Sequence, residues 1–167
     1  MNKYFPVTAV FDELETPVGL LKIIASERGV HAIVWEHESI PPIARDKKHP
    51  LIIKVKQQLT EYFKGTRQQF DLPLAPMGTA FQLQAWQALR KIPYGKTISY
   101  GEQAKRLGDK NKARAVGMAN GKNPISIVVP CHRVIGANGQ LTGFGGGLEN
   151  KAWLLGHEQK YFKVHDE

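Results

Sequence analysis

The stretch Phe70-Asp71-Leu72-Pro73-Leu74-Ala75-Pro76-Met77-Gly78 separates two halves of the chain that carry different patterns. Its prolines lack a backbone donor and hold φ fixed, so neither a long helix nor a central strand can run through it. It therefore predicts a boundary, with one domain over residues 1–78 and a second over residues 79–167. On the N-terminal side, residues 19–25 and 30–35 are apolar, β-branched runs joined by Ser26-Glu27-Arg28-Gly29, the pattern of a hairpin with glycine in its turn. A proline-rich, charged loop follows (Pro41, Pro42, Asp46, Lys47, Lys48). Residues 49–63 then place Leu51, Ile52, Val55, Leu59, Tyr62 and Phe63 on one helical face, and Gly65 would end that helix.

Beyond the boundary the pattern is helical. Thr79 with Gln82 and Ser99 with Glu102 are capping boxes, in which a hydroxyl and a carboxylate or amide satisfy the first free donors of a helix. The first helix should run from Thr79 to about Lys91, stop before Pro93-Tyr94-Gly95 and bury Phe81, Trp86 and Leu89. A second over residues 100–107 and a third over residues 112–120, joined by Gly108-Asp109-Lys110-Asn111, have helix-turn-helix spacing. In the third, Ala113, Ala115, Gly117 and Ala119 are small enough for close backbone approach, while Lys112 and Arg114 project from the first turn. Ile127-Val128-Val129 reads as a strand leading to Cys131. Gly136-Ala137-Asn138-Gly139 is a turn. Residues 142–147 form a glycine-rich loop that matches neither a P-loop nor a dinucleotide fingerprint. A last helix, residues 148–158, would point Trp153, Leu154 and Leu155 inward.

Charge is unevenly placed. Residues 1–78 hold ten Lys or Arg against nine Asp or Glu, a balance of +1. Residues 90–133 hold ten basic side chains against Glu102 and Asp109, so this segment alone carries +8. Such a concentration is the footprint of a surface that tracks phosphates. No stretch approaches the ~20 apolar residues of a membrane span, and residues 1–17 lack a basic region followed by a long apolar core, so a cytoplasmic protein is expected.

Cys131 is the sole cysteine. One thiol excludes an internal disulfide and is too little for a structural zinc site, which leaves reactivity or simple burial. Its neighbours His132 and Arg133 are the kind of surroundings that lower a thiol pKa from its ordinary ~8.5.

The run Ile127-Val128-Val129-Pro130-Cys131-His132-Arg133-Val134-Ile135-Gly136 resembles the active-site signature of the O6-alkylguanine-DNA alkyltransferases. Ile92-Pro93-Tyr94-Gly95, Ser99-Tyr100-Gly101, Ala113-Arg114-Ala115-Val116-Gly117, Asn120-Gly121-Lys122-Asn123-Pro124 and Trp153-Leu154-Leu155-Gly156-His157-Glu158 are similar to the family's other blocks, in the same order. The resemblance implies an α/β (α+β) chain. A ribonuclease-H-like β-sheet domain would precede a helical domain with a winged-helix-like helix-turn-helix. It also implies direct-reversal DNA repair, in which the alkyl group of O6-alkylguanine moves irreversibly onto the protein's own cysteine after base flipping, with O4-alkylthymine left open as a second substrate.

By the same resemblance Cys131 is the nucleophile, His132 contacts it through water, and Glu158 orients the histidine. Asn123 ties the recognition helix to the active-site strand. Tyr100 helps rotate the nucleotide and donates a hydrogen bond to the leaving purine. Arg114 fills the vacated space in the stack, and Ala115 is among the small residues that let its helix enter the minor groove. Val134 belongs to the signature, and Phe144, Gly145 and Gly146 lie in the loop that walls the pocket. Phe144 stands where many members carry tyrosine, which removes a hydroxyl and leaves the apolar face.

No cofactor is called for. With no cysteine in residues 1–130, the amino-terminal zinc site of some members is not expected. The implied partner is double-stranded DNA containing O6-alkylguanine, met by a monomer without a membrane, with cooperative binding along DNA left open. A lesion-binding relative would lack the cysteine, a cysteine hydrolase would not explain the basic segment, and a plain helix-turn-helix transcription factor would not explain the thiol.

Overall fold

The backbone divides into two units, the first reaching Met77 and the second starting at Gly78. The computed structural model describes residues 5–166, with side chains as far as residue 162.

The first unit is a four-stranded sheet in the order β3-β2-β1-β4, crossed by one helix. The foreseen hairpin is formed by β2 (Gly19–Ser26) and β3 (Gly29–Trp35). Ser26 pairs with Gly29, and the Ser26 hydroxyl accepts from Arg28 N at 3.1 Å. Gly29 has φ +136°, and a Cβ there would lie 2.8 Å from the Pro73 carbonyl oxygen, so the turn requires glycine twice over. The Pro73 carbonyl accepts from Val30 N, and Val30 O accepts from Ala75 N, each at 2.8 Å, which lays the boundary segment along β3.

The sequence pattern did not suggest β1 (Val10–Thr16), which pairs antiparallel with β2. Its acidic residues dilute the apolar signal, yet Asp12 is buried and ion-paired with Lys56 and, at 2.7 Å, with Arg45 of β4 (Ala44–Arg45). α1 (Pro50–Phe63) begins at His49, whose ring accepts from Leu51 N at 3.2 Å, with Pro50 where its missing N–H costs nothing. Ile52, Val55, Leu59 and Tyr62 are fully buried toward β1 and β2. Each such side chain contributes roughly 1.5–3 kcal/mol. Leu51 and Phe63, expected on the same face, are only partly buried. The opposite sheet face is closed by Ala9, Ile24 and Ala32 with Phe11, Val34, Ile40 and Ile43.

In the second unit α2 (Ala80–Leu89) opens with both halves of the expected capping box. Trp86 and Leu89 are buried, whereas Phe81 stays partly exposed under the Lys112 ammonium, 5.7 Å from its ring centroid. Ser99 caps α3 (Tyr100–Arg106) through Glu102 N, but the Glu102 carboxylate turns outward to Arg106. Asp109 caps a short 3-10 turn before α4 (Ala113–Gly121). Polar groups knit these helices: Trp86 Nε1 donates to Ala119 O at 2.8 Å, and the Gln103 and Asn120 amides exchange hydrogen bonds of 3.1 and 2.8 Å. The small residues of α4 serve this packing, with Ala119 against Trp86 and Gly117 beside the Tyr100 ring. β5 (Ile98–Ser99) and β6 (Val134–Ile135) form a short parallel pair. α5 (Leu148–Asp166) runs past residue 158, because nothing after Gly156 stops it. Among the described residues no helix is long and apolar enough to cross a membrane.

Candidate active site

Cys131 is delivered by turns, and the expected strand at Ile127-Val128-Val129 is absent. Ile127 is buried with φ 72°, a left-handed conformation that costs a β-branched residue about 1–3 kcal/mol. Asn123 imposes it. Its side-chain oxygen accepts from Ile125 N at 3.0 Å and its Nδ2 donates to Val129 O at 2.8 Å, closing the loop from both ends. Cys131 then opens a 3-10 turn, Cys131–Arg133, where its thiol is partly buried.

The next two residues turn to α5. His132 Nε2 lies 2.7 Å from Glu158 Oε2, both side chains being buried. Arg133 donates to the two oxygens of the same carboxylate at 2.8 and 3.0 Å and to Ile92 O at 2.7 Å, and Gly95 N donates to Glu158 Oε1 at 3.3 Å. Gly95 has φ +79°, and a Cβ there would meet the Phe162 ring at 2.6 Å, so α5 can close on this segment only over glycine. Burial opposes ionisation of Glu158, but the hydrogen bond from His132 and the charge and hydrogen bonds of the Arg133 guanidinium outweigh it and hold the carboxyl far below the usual range. Burial pushes the His132 pKa down despite Glu158, so the imidazole is neutral. A neutral ring facing a carboxylate carries its proton on Nε2. Nδ1 is then an acceptor, and among the described residues this buried atom has no hydrogen-bond partner.

A third set of contacts lies in the loop that the resemblance assigns to the wall of the alkylguanine pocket. Lys151 is fully buried, and its ammonium donates to Val134 O at 2.7 Å and Thr142 O at 3.0 Å. Thr142 Oγ1 donates to the Tyr100 hydroxyl at 3.0 Å. Phe144 is partly buried, and its carbonyl accepts from Gly147 N at 2.9 Å. Gly145 is exposed, and Gly146 O accepts from Asn150 at 2.9 Å. Val134 is buried in β6. Arg114 and Ala115 are exposed on the first turn of α4, outside these networks and beside Lys110 and Lys112.

The thiol differs from the expectation that His132 and Arg133 would lower its pKa. Arg133 is committed to Glu158, His132 is neutral, and burial raises the Cys131 pKa, with Asn123 and Lys151 pulling the other way. At rest the sulfur is therefore a protonated thiol with an unpartnered imidazole nitrogen on the adjacent residue. Lys151 and Thr142 were not singled out from the sequence. Spacing could have found the first, because Lys151, Leu154 and Glu158 recur at helical intervals on the buried face of α5. Among the described residues no group of three His, Cys, Asp or Glu side chains could hold a metal ion.

The arrangement can supply a soft nucleophile and a base for its proton, carried on a helix-turn-helix unit with a basic surface. Two family models match the chain: the DNA-binding domain of 6-O-methylguanine DNA methyltransferase over residues 80–160, and the ribonuclease-like domain of the same proteins over residues 10–76. The methylated-DNA–protein-cysteine methyltransferase of Methanosarcina acetivorans is 44% identical, over 84% of this chain and 92% of its own length. That of Shigella flexneri is 44% identical, over 88% and 94%. The crystal structure of Mycobacterium tuberculosis O6-methylguanine methyltransferase superposes with a TM-score of 0.85 at 40% identity, covering 92% of this chain and 94% of that one. Mycobacterium tuberculosis OGT in complex with DNA gives 0.85 at 42%, covering 90% and 93%. The chain belongs to the 6-O-methylguanine DNA methyltransferase family, with its ribonuclease-like sheet first and its DNA-binding helices second.

Proposed function

We propose that this chain repairs DNA by direct reversal, moving the alkyl group from O6-alkylguanine in duplex DNA to Cys131 in a single turnover. The observation that carries the reading is the junction of a lone thiol with His132, whose Nε2 is fixed by Glu158 and whose buried Nδ1 is left open. A proton leaving Cys131 passes to Nδ1 through a bridging water, for which an unpartnered buried acceptor is a suitable partner. The sulfur attacks the alkyl carbon, an S–C bond forms, the C–O6 bond breaks, and the electron pair stays with the purine. Tyr100 steadies that developing charge by donating a hydrogen bond. The product thioether has no leaving group, so the protein stops after one lesion.

Family membership supports DNA as the partner, and the exposed basic residues around α4 supply phosphate contacts. Arg114 fills the stack when the base turns out, with Ala115 permitting the approach. Phe144, Gly145 and Gly146 flank the alkylguanine. The protein acts as a monomer, and a reducing cytoplasm keeps its thiol free.

Intact mass spectrometry after incubation with an oligonucleotide containing O6-methylguanine tests the reading. One methyl per molecule, located on Cys131 and absent from Cys131→Ser, is expected. Tight binding without a mass change would make the chain a lesion binder, and repeated turnover would make it a hydrolase. Arg114→Ala should slow repair in duplex far more than reaction with free alkylguanine; equal losses would remove the wedge.

A further inference from the structure

Tyr100 must offer a proton to the leaving purine, and a phenol has only one to offer. We infer that Thr142 is the positioning residue that keeps this proton aimed at the substrate, an assignment that rests on the repair reading above. Thr142 Oγ1 lies 3.0 Å from the phenol oxygen; with Thr142 as the donor, the hydroxyl of Tyr100 is filled on its acceptor side and its own hydrogen is turned away from the loop. A phenol that accepts one hydrogen bond also becomes a stronger donor in the next, because the two bonds polarise one another.

The threonine is itself held. Its carbonyl accepts from the buried Lys151 ammonium at 3.0 Å, and that ammonium is anchored at 2.7 Å to Val134 O, three residues after the thiol. The Tyr100 ring also lies against Gly117, where a Cβ would already stand 3.6 Å from the ring. Lys151 lies over the same ring, 6.0 Å from its centroid. A relay thus runs from α5 through Lys151 and Thr142 to Tyr100. It is built from a residue of the loop and one of the helix, the second of which, Lys151, also acts on the thiol through its charge.

The opposite polarity, in which Tyr100 donates to Thr142, would occupy the phenol proton and predict the reverse effect of removing the threonine hydroxyl. The test is a double-mutant cycle on the single-turnover rate constant at saturating DNA. Thr142→Val, nearly isosteric, should slow methyl transfer about fivefold, the effect of one lost hydrogen bond. Thr142→Ser should restore the rate to within about twofold, since it keeps the hydroxyl and loses only a methyl group. In a Tyr100→Phe background Thr142→Val should cost nothing further. Alkylation of Cys131 by iodoacetamide should be unchanged in all the position-142 variants, as the thiol and His132 are untouched.

An unchanged or raised rate in Thr142→Val overturns the proposal. So does an equal fivefold loss in the Tyr100→Phe background, or a loss in Thr142→Ser as large as in Thr142→Val. A wild-type protein that gains no methyl overturns the repair reading and the proposal with it. A Tyr100→Phe variant that reacts at the wild-type rate removes the role of the phenol and leaves the transfer itself standing.

Discussion

In the first unit, the buried polar side chains Asp12, His31 and Gln58 are matched to partners and serve an apolar sheet, with Gln68 Nε2 left over among the described residues. Asp12 binds Arg45 and Lys56, His31 lies 2.7 Å from the Ser26 hydroxyl and 3.0 Å from Ala75 O, and Gln58 both donates to and accepts from Asp71. In the second, His132, Arg133, Lys151 and Glu158 are buried together, and one atom of the set, His132 Nδ1, is left over. Desolvating so many charges is costly unless each is paired. The matched groups fix a fold. His132 Nδ1, left open beside the thiol, is where a fold has been committed to chemistry.

The largest expected effect that separates the units is Glu158→Gln, which leaves Arg133 buried without its anion and His132 without its orienter. It should destabilise the second unit by about 4 kcal/mol and spare β2 and β3. Hydrogen exchange read by mass spectrometry, unit by unit, checks this, and equal loss of protection in both would erase the distinction. Leu59→Ala should act in the other direction. It opens a cavity beneath α1 costing about 3 kcal/mol, while the rate of iodoacetamide reaction at Cys131 stays unchanged. A slowed thiol would mean that the units are energetically coupled.

Acid should sharpen the contrast. Burial lowers the pKa of His132, so the unfolded chain takes up the proton first. That contribution is complete above the unfolded value of ~6.5 and is lost as pH falls below it, at up to ~1.4 kcal/mol per pH unit. Glu158 and Asp12, both also held low, begin to add their losses only near pH ~4. Exchange protection in the second unit should therefore decline before that of the first, and simultaneous onset would break the comparison. Thr79→Ala gives the smallest effect, about 1 kcal/mol from the lost cap and confined to the start of α2. Protection lost beyond α2 would contradict that confinement.

The helices were legible because their signals are local. Thr79 with Gln82, the apolar spacing from Leu51 to Phe63 and the small residues of α4 each act within a turn or two. β1 was hidden because Asp12, Glu13 and Glu15 mask its burial, and its ion pairs come from residues 33 and 44 positions away. Around Cys131 the resemblance pointed to the participants, while local propensity gave the wrong conformation. Three β-branched residues favour a strand, and the Asn123 side chain overrules them through two bonds to the backbone. The raised thiol pKa was illegible for a similar reason. Nothing in the adjacency of Cys131 and Arg133 shows that the guanidinium points to Glu158.

The clamp and the carboxylate differ in when they can exist. Asn123 reaches Val129 across a separation of 6 residues, whereas His132 and Glu158 are 26 apart and Gly95 and Glu158 are 63 apart. Short loops close at little entropic cost and long ones wait for docking. On the ribosome the turn that presents the sulfur can assemble as soon as its own residues emerge, but the carboxylate that orients His132 arrives only when α5 has been made and has seated. Each newly synthesised molecule thus holds its thiol before it can use it.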